Sequence, residues 1–592
     1  MYQLVDFVSK QPVQATGLVF ADNNTPWEIL MDLSLFKQKH PLENFKRESP
    51  RLSKYLPLMP IENPENFVTL QEIPTPLINS KNLGPDFGID LLFKVEGKTL
   101  TGSFKDRGSA LEVSVAKELG AKAIILASTG NMAASCACYA AAAKMPCYIL
   151  VPEGVPMNKM AQVIAFGGHI VQIKGTYNDA ARLAESLARK MGFYLAGDYA
   201  YRLEGQKTAA FELVDQLAGQ APDVVIVPMG CGTNIAAYAK GFKEYLELGL
   251  IDKLPQLIGV EATGADAIVR SFNKKEKHIT PLKSINTIAS AIAVPDPIDG
   301  IKALDAIYST KGQAVAVSDE EILQAQYLLA THESIFAESS SAATIATVLK
   351  IGQQLKGKKV VCILTGDGLK DASVVLKSAT KPLTIHANEA EFMQLYDQKI
   401  FSGKNMFFSD KNQVLFSQSP SVNQIQAQIK DLFLVEYHQD YLTKIKLILD
   451  KILNKGKHIT IADLQDAIQE ALETQAIKNN KSFSVVDFEV TTGKDRKSRA
   501  QITVDIAGVK QQGQAEGPGP VDAVIKALRV ACQDKIDFKL LDYKVEIRNH
   551  GVDALVHVEL KLAKNNIFSV GHGVSPDIIQ ASLEAFEEAY NE

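Results

Sequence analysis

The feature that most constrains this chain is a regular alternation, beginning near residue 88, of short apolar runs with helix-length segments. Ala121–Ser128, Cys147–Val151, His169–Ile173, Phe193–Ala196 and Val224–Val227 read as strands. They are short, largely apolar and bounded by glycine, proline or polar turns. Between them, Asn131–Met145, Lys159–Phe166, Asn178–Met191, Lys207–Leu217 and Asn234–Leu248 carry helical spacing. The pattern resumes with helices Glu320–Glu333 and Ser340–Gly352 and strand Lys359–Leu364. Such alternation implies right-handed crossovers and parallel sheets. Residues 1–385 are therefore predicted to be an α/β unit in two lobes. Ala123–Ala143 carries no charge over about one membrane-spanning length. Ser128, Thr129, Gly130, Asn131 and Ser135 within it mark a buried strand, loop and helix instead.

Past residue 385 glycine becomes scarce and strands short. Residues 386–481 read as a helical connecting subdomain, with amphipathic helices over Leu442–Lys455 and Thr460–Thr474. Thr460 is a suitable N-cap, with Asp463 three residues on. Residues 482–592 contain an internal repeat: Phe483-Ser-Val-Val-Asp487-Phe488 returns 55 residues later as Phe538-Lys-Leu-Leu-Asp542-Tyr543. Each copy continues with an alternating strand, a Gly-x-Gly loop (Gly517–Gly519 and Gly571–Gly573) and a helix (Val521–Cys532 and Pro576–Ala589). This predicts a small α+β domain of duplicated βββα units.

Charge and cysteine usage exclude several functions. With 63 Lys+Arg against 68 Asp+Glu the net charge is −5, so no nucleic-acid footprint is expected. Six cysteines (136, 138, 147, 231, 362 and 532) show neither zinc-ligand spacing nor disulfide density, so no metal site and a reducing, cytoplasmic setting are expected. The N-terminus has no basic region followed by an apolar one, so neither a signal peptide nor a membrane partner is expected.

The sharpest motif is Thr101-Gly102-Ser103-Phe104-Lys105-Asp106-Arg107-Gly108, where Lys105 follows a Gly-Ser turn and enters a helix predicted over Arg107–Leu119. Buried in a cleft, such an amine loses basicity and becomes a Schiff-base nucleophile; otherwise it is a solvated surface lysine. Strand Asp223–Val227 runs into Pro228-Met229-Gly230-Cys231-Gly232-Thr233-Asn234 and then a helix. Bare N–H groups at a helix start suit a phosphate. The loop has neither the Walker lysine nor GxGxxG spacing, so ATP and NAD are disfavoured. Ser128-Thr129-Gly130-Asn131 joins another strand to another helix; its N–H groups suit a carboxylate and Asn131 a ring hydroxyl. Thr365, after strand Val360–Leu364, suits a ring nitrogen. Loops at the carboxyl ends of parallel strands converge on one crevice. An amine, a phosphate cradle, an amide and a hydroxyl there describe a pocket for pyridoxal 5'-phosphate (PLP).

With these residues, residues 50–380 resemble the fold type II, tryptophan-synthase-β-like PLP enzymes, and among them the threonine synthases. Further matching blocks are Arg202-Leu203-Glu204-Gly205-Gln206-Lys207-Thr208, Thr365-Gly366-Asp367-Gly368-Leu369-Lys370-Asp371, Pro74-Thr75-Pro76-Leu77 and Thr287-Ile288-Ala289-Ser290-Ala291-Ile292. The chain departs from the family at Thr99-Leu100 and Tyr199-Ala200, where Asn-Pro is usual, and at Glu338-Ser339, where Glu-Pro is usual. The resemblance implies that Lys105 is catalytic and holds PLP, with Asn131 on the ring hydroxyl, Gly230, Cys231, Gly232, Thr233 and Asn234 on its phosphate, and Thr365 on the ring nitrogen. It implies conversion of O-phosphohomoserine and water to threonine and phosphate. Ser128, Thr129 and Gly130 would bind substrate, and Lys159, Arg202, Lys207 and Arg107 are candidates for its phosphate.

The C-terminal blocks Gly517-Pro518-Gly519-Pro520-Val521-Asp522-Ala523, Leu541-Asp542-Tyr543, Gly551-Val552-Asp553-Ala554 and Gly571-His572-Gly573-Val574-Ser575-Pro576-Asp577 resemble the regulatory domain of 2-isopropylmalate and citramalate synthases. That implies an amino-acid effector near Gly517, Gly519, Asp522, Gly571 and Gly573, and a homodimer or higher homo-oligomer. Competing readings are a related PLP lyase or β-replacement enzyme, such as a threonine dehydratase or a cysteate-synthase-like protein, and a non-enzymatic amino-acid sensor.

Overall fold

A computed structural model describes residues 2–378 apart from 16–17, 21–24 and 156. Beyond these it describes chiefly 414–433, 439–454, 458–460, parts of 463–471, 483–493, 496–506, 508–532, 538–547, 556–564 and 567–591. The chain forms two compact units, residues 1–381 with 406–408, and residues 382–405 with 409–592.

The first unit is built on two sheets. The larger has strands in the order Gln313–Val317, Gln256–Ala262, Val224–Pro228, Lys359–Leu364, Asp90–Val95 and Leu77–Asn79, parallel except for the last. The smaller runs His169–Ile173, Cys147–Pro152, Ile124–Ala127 and Tyr194–Leu195, all parallel. Central strands such as Val224–Pro228 are buried throughout, because helices cover both faces of the sheet. Gln256–Ala262 and Gln313–Val317 complete the large sheet beyond the strands that the alternation predicts. The helix expected over 159–166 is instead a 3₁₀ turn, Met157–Met160, and a short helix, Ala161–Ala165. Thr176 and Ser318 cap their helices reciprocally with Asp179 and Glu321.

One helix crossing positions the site. Helix Lys105–Glu118 starts two residues earlier than its apolar pattern suggests and is buried from Asp106 to Ala116. It crosses helix Ala200–Gln206 at glycines from both sides. A Cβ on Gly205 would collide with the Arg107 carbonyl oxygen, and one on Gly108 would lie 2.6 Å from Arg202 Cγ. Only glycine permits backbones to approach this closely.

The second unit has helices Val422–Phe433 and Gln439–Asn454, packed through Ile425, Ile429, Leu442, Ile445 and Leu449. Thr460 and Asp463 exchange hydrogen bonds of 2.8 and 3.3 Å, as a capping pair does. The duplication folds as two three-stranded antiparallel sheets, each with its helix. The first has strands Phe483–Thr491, Ser498–Ile506 and Val509–Gly517 and helix Pro520–Cys532. The second has Phe538–Ile547, Val556–Lys564 and Ile567–Ser575 and helix Ile578–Asn591. Both first strands are irregular at the same point of the repeat, between Val485 and Asp487 and between Leu540 and Asp542.

The paired Gly-x-Gly loops are corrected by this register. Gly517 ends a strand and Gly519 turns into the helix, but Gly571 and Gly573 lie inside a strand. Gly571 packs beneath Ala585 and Ala589, as Gly513 packs beneath Ala527 and Ala531. The true counterpart of Gly571 is therefore Gly513, and the spacing between copies grows from 55 to 58 residues. Gly551 to Ala554, part of the second repeat's matching blocks, lie outside the described residues.

Candidate active site

Lys105 is the first residue of its helix. The turn before it is left-handed at Gly102, with φ +86°. It is zipped to the loop after strand Lys359–Leu364: Phe104 N–H donates to the Thr365 carbonyl at 2.9 Å, and Asp367 N–H to the Gly102 carbonyl at 2.9 Å. These bonds place Lys105 and Thr365, 260 residues apart, in one corner. The Lys105 ammonium donates to Asp198 Oδ1 at 2.9 Å and Oδ2 at 3.3 Å. The lysine side chain is 17% exposed, so it is reachable from the cleft. Burial works to raise the Asp198 carboxyl, but Lys105 and Arg202 outweigh it and hold Asp198 below the usual aspartate value. Asp198 also accepts a hydrogen bond from the Cys231 thiol, which joins the lysine to the glycine loop.

That loop is shaped for an anion. Gly232 has φ +88°, and a Cβ there would sit 2.7 Å from the Asp299 carbonyl oxygen. A Cβ on Gly230 would lie 3.1 Å from Ile292 Cα. Helix Thr233–Leu248 follows without a side-chain cap, so its first N–H groups are left for a ligand. Asn234 Nδ2 is buried beside them without a hydrogen-bond partner. These features fit the phosphate of PLP.

Asn131 begins helix Asn131–Ala142 behind an uncapped Gly130, whose missing Cβ would meet nothing within 4 Å. Gly130 N–H lies 3.4 Å from Ser128 Oγ; Ser128 is buried and Thr129 half-buried. Asn131 Nδ2 donates to Glu338 Oε2 at 3.0 Å. Burial pushes Glu338 up to about 7, against the pull of that bond. Gly366 passes so close that a Cβ there would collide with the Glu338 carboxylate. Thr365 Oγ1 lies 3.0 Å from Ser341 Oγ, on helix Ser339–Ile351. Asp198, Glu338, Ser341 and Lys370 are the candidate site residues that sequence reasoning missed. The unusual residues at Tyr199-Ala200 and Glu338-Ser339 mark two of these segments.

The structure brings Lys105, the Gly230–Asn234 loop, Asn131 and Thr365 together. Three of the expected cations are held by carboxylates. Arg107 is spread between Glu96 (2.7 and 2.8 Å) and Glu212 (3.0 and 2.8 Å). Arg202 is fully buried against Glu112, and its Nε donates to the Gly197 carbonyl at 2.9 Å. Lys207 is fully buried between Glu204 and Glu244. The Lys159 side chain lies outside the described residues. Lys370 is different: its ammonium donates to the Thr101 carbonyl at 3.0 Å and to Gln162, and no carboxylate among the described residues lies at ion-pair distance. Burial lowers the basicity of Lys370 despite nearby Glu338, Asp106 and Asp367. Among the described residues no His, Cys, Asp and Glu cluster could hold a metal, and no helix is long and apolar enough to cross a membrane.

Residues 68–366 match the family model for pyridoxal-phosphate dependent enzymes, and residues 458–592 match the LeuA allosteric (dimerisation) domain. The threonine synthase of Methanocaldococcus jannaschii is 43% identical over 367 residues, covering 61% of this chain and 91% of that protein. Those of Methanosarcina acetivorans (40% over 367 residues, 61% and 90%) and Halalkalibacterium halodurans (41% over 348 residues, 58% and 96%) are also similar.

Proposed function

The chain belongs to the pyridoxal-phosphate dependent enzymes, and on that basis we propose that it is a threonine synthase, converting O-phosphohomoserine and water to L-threonine and phosphate. The observation that carries this reading is the 43% identity along 91% of the M. jannaschii threonine synthase. When bound, PLP supplies an electron sink for charge developing next to the substrate amino group. The remaining work falls to this chain's residues. The Gly230–Asn234 loop holds the cofactor phosphate with backbone N–H groups. Asn131 orients the ring through its hydroxyl, and Thr365 offers the ring nitrogen a neutral partner. The Ser128–Gly130 loop receives the substrate carboxylate.

Lys105 takes protons from Cα and Cβ of the substrate as phosphate leaves Cγ, and returns protons to Cγ and Cα as water adds at Cβ. We assign the substrate phosphate to Lys370, because among the candidates whose side chains are described Arg107, Arg202 and Lys207 are each spent on buried carboxylates. Lys370 is half-buried and has no ion-pair partner among the described residues, and such a cation gains from an incoming dianion. The C-terminal domain is assigned an amino-acid effector and a role in self-association. The turn Gly517–Gly519 and Asp522, whose carboxylate pairs with Lys526 at 2.7 Å, are the candidate contacts there.

One assay tests the reading: phosphate release from O-phosphohomoserine, with leucine, isoleucine, valine and threonine added in turn. Release altered by one of them is expected. No release, with 2-oxobutanoate formed from threonine instead, replaces this reading with a dehydratase.

A further inference from the structure

The carboxylate beside the cofactor lysine is neither a cofactor ligand nor a substrate ligand in the proposed reaction. Asp198 stands in the loop between strand Tyr194–Leu195 and helix Ala200–Gln206, with its side chain 10% exposed. Among the described residues, charged or titratable groups face it from several elements. Lys105 and Glu112 come from the lysine helix, and Arg202 from the crossing helix. Cys231 comes from the phosphate loop, Asp299 from behind that loop, and Tyr177 and Tyr199 from the smaller lobe. Arg202 is already matched by Glu112. The Cys231 thiol is held protonated by burial, so it can only donate to Asp198. Asp299 is paired with Lys302 at 2.7 Å. Lys105 is therefore the one cation left for Asp198 among the described residues, and it sits at 2.9 Å. On its other side Asp198 borders a cavity of about 10 Å³, lined also by Trp27, Asp299 and Lys302, with room for one water.

We propose that Asp198 is the positioning residue for Lys105: it holds the ε-amino group in one place, as a cation, whenever that nitrogen carries a proton. The inference rests on the PLP-lysine part of the proposed function and not on the choice of substrate. When the Lys105 amine takes a proton from substrate carbon, the C–H bond breaks and an N–H bond forms. The new ammonium is met by a charge-assisted hydrogen bond to Asp198 Oδ1, and nothing is oxidised or reduced. Returning the proton reverses these changes. The same carboxylate favours a protonated nitrogen while Lys105 is bonded to the cofactor. Because the Cys231 thiol also binds Asp198, the lysine and the phosphate loop keep a constant spacing.

The test compares wild type with Asp198→Asn and Asp198→Glu in the full chain. In the holoenzyme the visible absorption of the lysine-bound cofactor is titrated with pH. In chain freed of cofactor, the rate at which an amine-acylating reagent modifies Lys105 at pH 8 is followed by peptide mass. For Asp198→Asn the visible band is expected to be lost about one pH unit or more below wild type, and acylation to quicken about tenfold. Its kcat should fall about tenfold to a hundredfold with KM changed less than about threefold. Asp198→Glu keeps the charge one methylene away and should give intermediate values. Wild-type titration and acylation in a cofactor-binding Asn variant overturn the proposal. Should that variant not fold, the Glu variant decides, and wild-type values in both readings overturn it. Neither reading needs substrate, so both remain informative if O-phosphohomoserine proves not to be turned over.

Discussion

At Lys105 the local sequence supplies a turn and a helix start, and distant residues supply the environment. Lys105→Ala should abolish both turnover and the visible band of the bound cofactor while leaving the circular dichroism of the fold; a retained band refutes the assignment. Lys370→Met should raise KM for O-phosphohomoserine about tenfold or more, the loss of one charge-assisted hydrogen bond. Its cofactor spectrum should not change; an unchanged KM removes Lys370 from the phosphate site. Away from the site, Glu261 makes a clean pH probe. It is 1% exposed, and its Oε2 accepts the Val269 N–H at 2.8 Å. Burial raises it from an ordinary 4.5 to about 8. Between those values the folded chain keeps a proton that the unfolded chain releases, so stability falls as pH rises through that window. Glu261→Gln removes the titration. The variant should gain about 1.4 kcal/mol on wild type per pH unit across the window, read from urea midpoints at several pH values. A constant difference between the two proteins would show that Glu261 does not titrate there.

At the scale of elements, the crossing of helices Lys105–Glu118 and Ala200–Gln206 ties stability to the site. Gly205→Ala pushes a methyl group into the Arg107 backbone and should destabilise the chain by about 1–3 kcal/mol, because a packed interface has nowhere to relax. It should also weaken cofactor binding, since Lys105 lies two residues from the contact. A urea midpoint within error of wild type would mean that the helices can separate freely. In the C-terminal repeat the same logic governs Gly513 and Gly571, each covered by the alanines of its own helix. Gly571 serves packing, which is why reading Gly571–Gly573 as a loop misplaces that pair.

At the scale of the molecule, each unit closes its own hydrophobic cores. Phe211, Val225 and Ile363 belong to one in the first unit, and Phe483, Leu528 and Phe586 to one in the second. A chain ended at residue 381 is therefore expected to fold, bind PLP and turn over substrate, while losing any response to amino acids. The comparison is phosphate release by the full and shortened chains across the amino-acid panel. A shortened chain that still responds places the effector in the catalytic unit.

Much of this was legible from residue order, because periodicity and turn chemistry are local. The alternation of strands and helices determined a parallel α/β unit, the repeat determined a duplicated α+β unit, and the glycine loops with Lys105 determined a PLP enzyme. Charge pairing was not legible, because it depends on which side chains meet across the fold. Arg107, Arg202 and Lys207 look like anion-binding cations in sequence, yet each is buried, where an uncompensated charge is too costly and a carboxylate must meet it. The partners Glu212 and Glu112 lie 105 and 90 residues away in the chain from Arg107 and Arg202. Asp198 reached Lys105 across 93 residues in the same way. Sequence alone therefore determined the elements and the chemistry of the cofactor, and tertiary structure decided which charges remain for the ligand, because desolvation is settled only where the chain packs.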